Sequence, residues 1–186
     1  YKDGKKNGKE TWWYENGQKW LEGNYKDDRL DGKQTDWHEN SQKWSEINYK
    51  DGKLDGDYIV WDQNEKVKIK RSYKNGQIRY EKNYKDDKED GKWTYWYENG
   101  QKHGEGNYIN GKGNGKWAEW YENGQIAHED YLKDDKLDGK WTKWYKNGQK
   151  KAEINYKDGK EDGNYIVWDQ NEKVKTVSYT HLTLPT

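Results

Sequence analysis

Cysteine, methionine and phenylalanine are absent from the 186 residues, and the one proline is penultimate. Without cysteine there is neither a disulfide framework nor a thiolate metal site, and the redox compartment stays open. Aliphatic residues are scarce: seven Leu, eight Ile and five Val, which beside 38% charged residues would ordinarily leave a chain disordered. An excess of one charge is also missing. The 35 Lys and Arg balance 35 Asp and Glu and interleave with them, which argues against a nucleic-acid surface and against a membrane-lipid partner. No run approaches the ~18 apolar residues of a membrane helix. The sequence starts at Tyr1 with its repeat already under way, so it reads as a piece of a longer protein, and localisation stays open.

What the chain has instead is aromatic, with 13 Trp and 17 Tyr. The pattern is clearest in Gly91–Tyr108, GKWTYWYENGQKHGEGNY, where Asn99-Gly100 separates two strand-like runs. Asn-Gly in that setting predicts a two-residue type I′ hairpin turn, which needs positive φ at both central residues. Pairing Glu98 with Gln101 then sets Trp96 against His103, Tyr95 against Gly104, Trp93 against Gly106 and Gly91 against Tyr108. Trp93 would cover the strand glycine Gly106. Seven copies of this hairpin are legible, the others at Trp12–Tyr25, Gln34–Tyr49, Tyr58–Tyr73, Trp117–Tyr131, Trp141–Tyr156 and Tyr165–Tyr179. The fifth copy closes one residue early at Tyr131, which predicts a bulge.

The tryptophan just before each hairpin turn serves as a ruler. Along Trp13, Trp37, Trp61, Trp96, Trp120, Trp144 and Trp168 the numbering advances in steps of 24, 24, 35, 24, 24 and 24. Strand side chains alternate with period two, so an even repeat returns each of these indoles to one face, with the closing tyrosines on the other. The long step contains Tyr73–Tyr84, YKNGQIRYEKNY, which predicts an extra strand behind Asn75-Gly76. A longer duplication is superimposed, for Glu46–Lys68 and Glu153–Lys175 differ only at Leu54/Glu161 and Asp57/Asn164. The predicted fold is all-β: an elongated, single-layer antiparallel meander of hairpin repeats with a period of 24 over residues 1–176, twisted or curled so that one face is buried. Residues 177–186, VSYTHLTLPT, look like the translation of a transposase sequencing adapter and are expected to be unstructured.

No constellation of catalytic type stands out. His38, His103, His128 and His181 occupy different repeat positions, which predicts solvated histidines rather than metal ligands. Glu105, Glu129 and Glu153 recur on every rung, so none has the singular environment a catalytic carboxylate needs; a solvated row is expected. The Asp-rich turns carry Lys or Arg between the acids and lack a calcium-loop pattern. Gly111-Lys112-Gly113-Asn114-Gly115 reads as a turn, because no helix follows to aim amides at a phosphate. The reading is therefore of a non-enzyme without cofactor or metal. Its candidate binding residues are the seven ruler tryptophans, as an exposed aromatic row suited to a linear ligand, either a polypeptide or a polysaccharide.

The Gly-Lys-Trp, Tyr-Glu-Asn-Gly-Gln and Asn-Tyr-Lys-Asp-Gly elements at a period of 24 resemble MORN repeats, in particular the bacterial MORN-variant repeat proteins. The resemblance covers Tyr1–Thr176 and implies a non-enzymatic β-sheet array with a protein partner, such as the toxin of a toxin–antitoxin pair. A bacterial surface array that binds cell-wall carbohydrate is the alternative.

Overall fold

A computed structural model describes residues 1–180, and these are strands and turns without a helix. They divide into two compact units, Tyr1–Lys88 and the residues from Glu89 on. The first unit holds β1 (Gly8–Trp13), β2 (Lys19–Lys26), β3 (Arg29–Leu30), β4 (Gly32–Trp37), β5 (Lys43–Lys50), β6 (Lys53–Trp61), β7 (Val67–Lys74) and β8 (Gln77–Lys85). Each rung is antiparallel to the next in chain order, β3 and β4 forming one rung interrupted at Asp31. The expected extra strand is β8. It folds back behind Asn75-Gly76, both at positive φ (52° and 85°).

The second unit repeats the scheme. Its strands are β9 (Lys88–Trp96), β10 (Lys102–Ile109), β11 (Lys112–Trp120), β12 (Ile126–Lys133), β13 (Lys136–Leu137), β14 (Gly139–Trp144), β15 (Lys150–Lys157), β16 (Lys160–Glu161), β17 (Gly163–Trp168) and β18 (Val174–Thr180). Here β13/β14 and β16/β17 are the interrupted rungs. Each unit is thus an antiparallel meander of hairpins. Residues 177–180 were expected to be unstructured, yet they belong to β18, with Val177 opposite Ile166 and Tyr179 opposite Asn164. Residues 181–186 lie outside the described residues.

Two kinds of turn alternate. The Glu-Asn-Gly turns are not type I′: only Gly100 has positive φ (83°), Gly100 N donates to Tyr97 O at 3.0 Å, and Tyr97 N donates to Gln101 O at 2.8 Å. That is a three-residue loop closed by a left-handed residue. The loop offsets the strands by one residue, and a bulge at His103 restores the register. Trp96 therefore faces Lys102 rather than His103, while Tyr95/Gly104, Trp93/Gly106 and Gly91/Tyr108 pair as the sequence predicts. The type I′ geometry occurs instead in the links between hairpins, where Asp51-Gly52, Asn110-Gly111 and Asp158-Gly159 have positive φ at both residues.

Register decides the faces. Thr11, Glu22, Thr35, Glu46 and Ile59 lie directly opposite one another across β1–β6, as do Thr94, Glu105, Ala118, Glu129, Thr142, Glu153 and Ile166 across β9–β17. The ruler tryptophan two residues on shares that face in each unit, here face A; the closing tyrosines take face B. In the fifth copy Leu132, not Tyr131, stands opposite Gly115, so Leu132 fills the closing position. Tyr131 turns to face A, 41% exposed, and the expected extra bulge is absent. Trp117, rather than Trp93, lies over Gly106: a Cβ there would come within 2.2 Å of the Trp117 ring. The glycine-rich 111–115 stretch is mostly strand, not turn, because Lys112–Trp120 is β11.

Burial is not confined to one face, contrary to expectation. Thr35, Thr94, Ala118 and Thr142 are buried on face A, and Asp36, Ser45, Trp93, Ala152 and Ile154 on face B. A single layer has no second sheet to cover either side. Each face therefore protects mainly small or β-branched residues, with Trp93 and Asp36 as larger exceptions, where flanking aromatics and long charged stems roof them over.

Candidate functional site

Face A is a lattice of repeated contacts. Lys19, paired across the hairpin with Trp13, extends over the next ruler, with its ammonium 5.4 Å from the Trp37 ring centre. Lys43 over Trp61, Lys102 over Trp120 and Lys150 over Trp168 repeat the arrangement at 5.0–5.8 Å. The same lysines clamp a glutamate from one side while a second lysine holds it from the other, as in Lys9–Glu22–Lys19, Lys33–Glu46–Lys43, Lys92–Glu105–Lys102 and Lys140–Glu153–Lys150. Lys19 and Lys9 hold the Glu22 carboxyl down at about 2. For Glu46, Glu105 and Glu153 partial burial pushes the pKa up, but the two lysines outweigh it and the net shift is downward. The predicted glutamate row exists. It is ion-paired and half-buried rather than freely solvated.

The ruler tryptophans occupy this lattice unevenly. Trp13 is 59% exposed, whereas Trp37, Trp61, Trp96, Trp120, Trp144 and Trp168 are half-buried. Their backbones also serve as joints. Tyr14, Tyr97, Tyr121 and Tyr145 donate their hydroxyls to the carbonyls of Trp37, Trp120, Trp144 and Trp168 at 2.7–3.0 Å, each to the ruler of the following repeat. Asn16, Asn99 and Asn123 donate to the neighbouring turn in the same way.

At the tight-turn end the Asp of Asp-Gly does the corresponding work. Asp31, Asp55, Asp90 and Asp138 each accept the backbone N–H of a residue 20 positions later. Lys74 first, and then the Asn75 amide, hold the Asp55 carboxyl below its ordinary value, and Lys157 and the Asp158 amide do so for Asp138. These carboxylates bind the next rung.

Such bonds spell out the Tyr-x-Asn-Gly motif and recur at one repeat length. The model of the MORN repeat variant matches residues 6–27, 30–51, 54–75, 68–86, 89–110, 114–134 and 137–158. The chain belongs to the MORN repeat variant family. Most of these MORN matches span two strands between tight turns, and the overlapping 68–86 match corresponds to β7 and the extra strand β8. No curated protein matches the chain significantly.

Three other aromatics were not singled out from the sequence. Trp20 and Trp44, at the bulge position of their MORN repeats, are 43% and 38% exposed, and Trp12 is 45% exposed. Trp12 and Trp20 pack edge to face at 6.0 Å, Tyr14 lies 6.3 Å from Trp20, and His38 lies 6.5 Å from Trp44. The signal was available, since Trp20 and Trp44 are themselves one full repeat apart.

The histidines also depart from expectation. His103 is exposed but stacks on Tyr97 at 4.3 Å, while His128 is half-buried, 5.4 Å from Trp141 and 3.4 Å from Asp130. Burial pushes the Asp130 carboxyl up, against the pull of His128. His181 lies outside the described residues.

Proposed function

We propose that this chain is a non-enzymatic docking array for a protein partner. The observation that carries the reading is the exposure of Trp20 and Trp44 on β2 and β5, strands that are hydrogen-bonded on both sides. An indole left exposed within a sheet that has little apolar residue to spare is a costly feature, and Trp is strongly enriched among residues that anchor protein interfaces. The repetition of one Lys–Glu–Lys clamp in four hairpins supports a surface rather than a reaction centre. The ruler row contributes its open end at Trp13, with the covered rulers setting the spacing. Toxin neutralisation is the particular form that the family resemblance suggests.

The test is affinity capture with wild type and with the Trp20→Ala/Trp44→Ala double variant. A protein identified on the wild type and lost from the folded double variant supports the reading. Polysaccharide is the alternative ligand, favoured by the regular spacing of the same indoles. Retention on insoluble cell-wall glycans that competes with protein capture would replace the first reading with the second.

A further inference from the structure

Face B of the second unit carries a hollow where the other hairpins have a side chain. Opposite Tyr95 stands Gly104, and the corresponding residues of the other hairpins are Leu21, Ser45, Ile69, His128, Ala152 and Thr176. The missing side chain leaves a cavity of about 220 Å³ whose walls include Tyr95, His103, Trp117 and Glu119. Trp117 lies across Gly106, and His103 stacks on Tyr97. Gly104 is buried, and a Cβ there would meet nothing closer than Ala118 O at 3.6 Å and Glu119 Cγ at 3.7 Å. Unlike Glu22, Glu46, Glu105, Glu129 and Glu153, Glu119 has no cation within ion-pair distance among the described residues.

The aromatic rings supply an apolar wall and Glu119 offers a full negative charge, so the hollow is complementary to a compact cation at the end of an apolar stem. Its volume lies below the ~300 Å³ at which sites for drug-sized ligands begin, which suits a single side-chain terminus. We infer that the hollow over Gly104 receives a lysine side chain of the protein partner, its ammonium between Tyr95, Trp117 and Glu119. This rests on the protein-docking reading for the source of the lysine.

The experiment is an NMR titration of the whole chain with N-acetyl-lysine methylamide, to roughly tens of millimolar because so small a ligand binds weakly. The Gly104 amide and the Trp117 indole N–H resonances should shift saturably. Norleucine methylamide, which keeps the stem and loses the charge, should leave them in place. Gly104→Leu, which borrows the residue of the first repeat, should abolish the shifts, and Glu119→Gln should weaken binding about tenfold. Equal binding of norleucine, shifts that survive Gly104→Leu, or no saturable shift would overturn the assignment. So would choline binding as tightly as the lysine derivative, since the site would then belong to a small quaternary ammonium. None of these readings depends on Trp20 or Trp44, so failure of the capture experiment and failure of the titration are distinguishable.

Discussion

Glu46–Lys68 and Glu153–Lys175 are nearly the same peptide, yet the sheet treats them differently. Ile154 is 2% exposed and among the most buried side chains, while Ile47, the same residue of the same repeat position, is only half-buried. The cross-strand partner explains the contrast: Trp141 stands opposite Ile154, and Gln34 opposite Ile47. Val67 and Val174 both stand opposite a ruler tryptophan, Trp61 and Trp168, and differ in the neighbouring strands. Val67 sits on β7 between β6 and β8, whereas Val174, on β18 paired with β17, is 57% exposed. In a single-layer sheet burial belongs to a pair of rungs, not to the peptide.

Replacing the partner is the strongest way to break this comparison. Trp141→Ala should cost about 3 kcal/mol in chemical denaturation, near the lower end for loss of a packed indole, while Gln34→Ala should cost about 1.5 kcal/mol, the loss of its amide hydrogen bond to the buried Asp36 carboxylate at 3.2 Å. Gln34→Trp should slow hydrogen exchange around Ile47 toward that around Ile154; unchanged exchange would refute the pairwise account.

The residue just before each segment gives the next largest effect. Ser45 donates to Asp36 Oδ2 at 2.5 Å, and both are buried, whereas the corresponding Ala152 faces Lys143 and Val167. Ser45→Ala removes one of two hydrogen bonds to the buried Asp36 carboxylate, the other coming from Gln34 at 3.2 Å, and should lower stability by about 2 kcal/mol, measured by urea unfolding.

Other substitutions should act alike in the two copies. Glu65 and Glu172 occupy left-handed turn positions at φ 59° and 62°. Glycine at either should raise stability by about 1 kcal/mol, and a gain at only one would mean that the turns are not equivalent.

The smallest effect concerns acid. Glu46 and Glu153 titrate below their ordinary value when folded, because lysine pairs outweigh partial burial. Their contribution is therefore complete above the unfolded value of about 4.3 and is lost as pH falls through the lower folded values. Carboxyl NMR titrations should give the two residues matching, depressed midpoints.

Much of this was legible beforehand. Alternation and an even period place the ruler indoles on one face within each unit, and the pairings Tyr95/Gly104 and Trp93/Gly106 follow from the hairpin. The three-residue turn was hidden because Asn-Gly suits a two-residue turn equally well, and the compensating bulge at His103 leaves no mark in the sequence. Leu132 was missed because an aromatic, Tyr131, sits beside it and invites a shifted reading. The exposed Trp20 and Trp44 depend on the same unseen bulge. The roles of Tyr97 and Asn99 reach across to the following repeat, a distance at which local pattern is silent.

Those forward-reaching hydroxyls and amides make the molecule resemble a chain of couplings, each hook meeting an eye of standard gauge. Editing in whole links, one repeat at a time, preserves every coupling, whereas removing half a link would present hooks to hooks. Length is then free to drift in evolution by unequal exchange, as the near-identical segments Glu46–Lys68 and Glu153–Lys175 already record, without disturbing how any one joint is made.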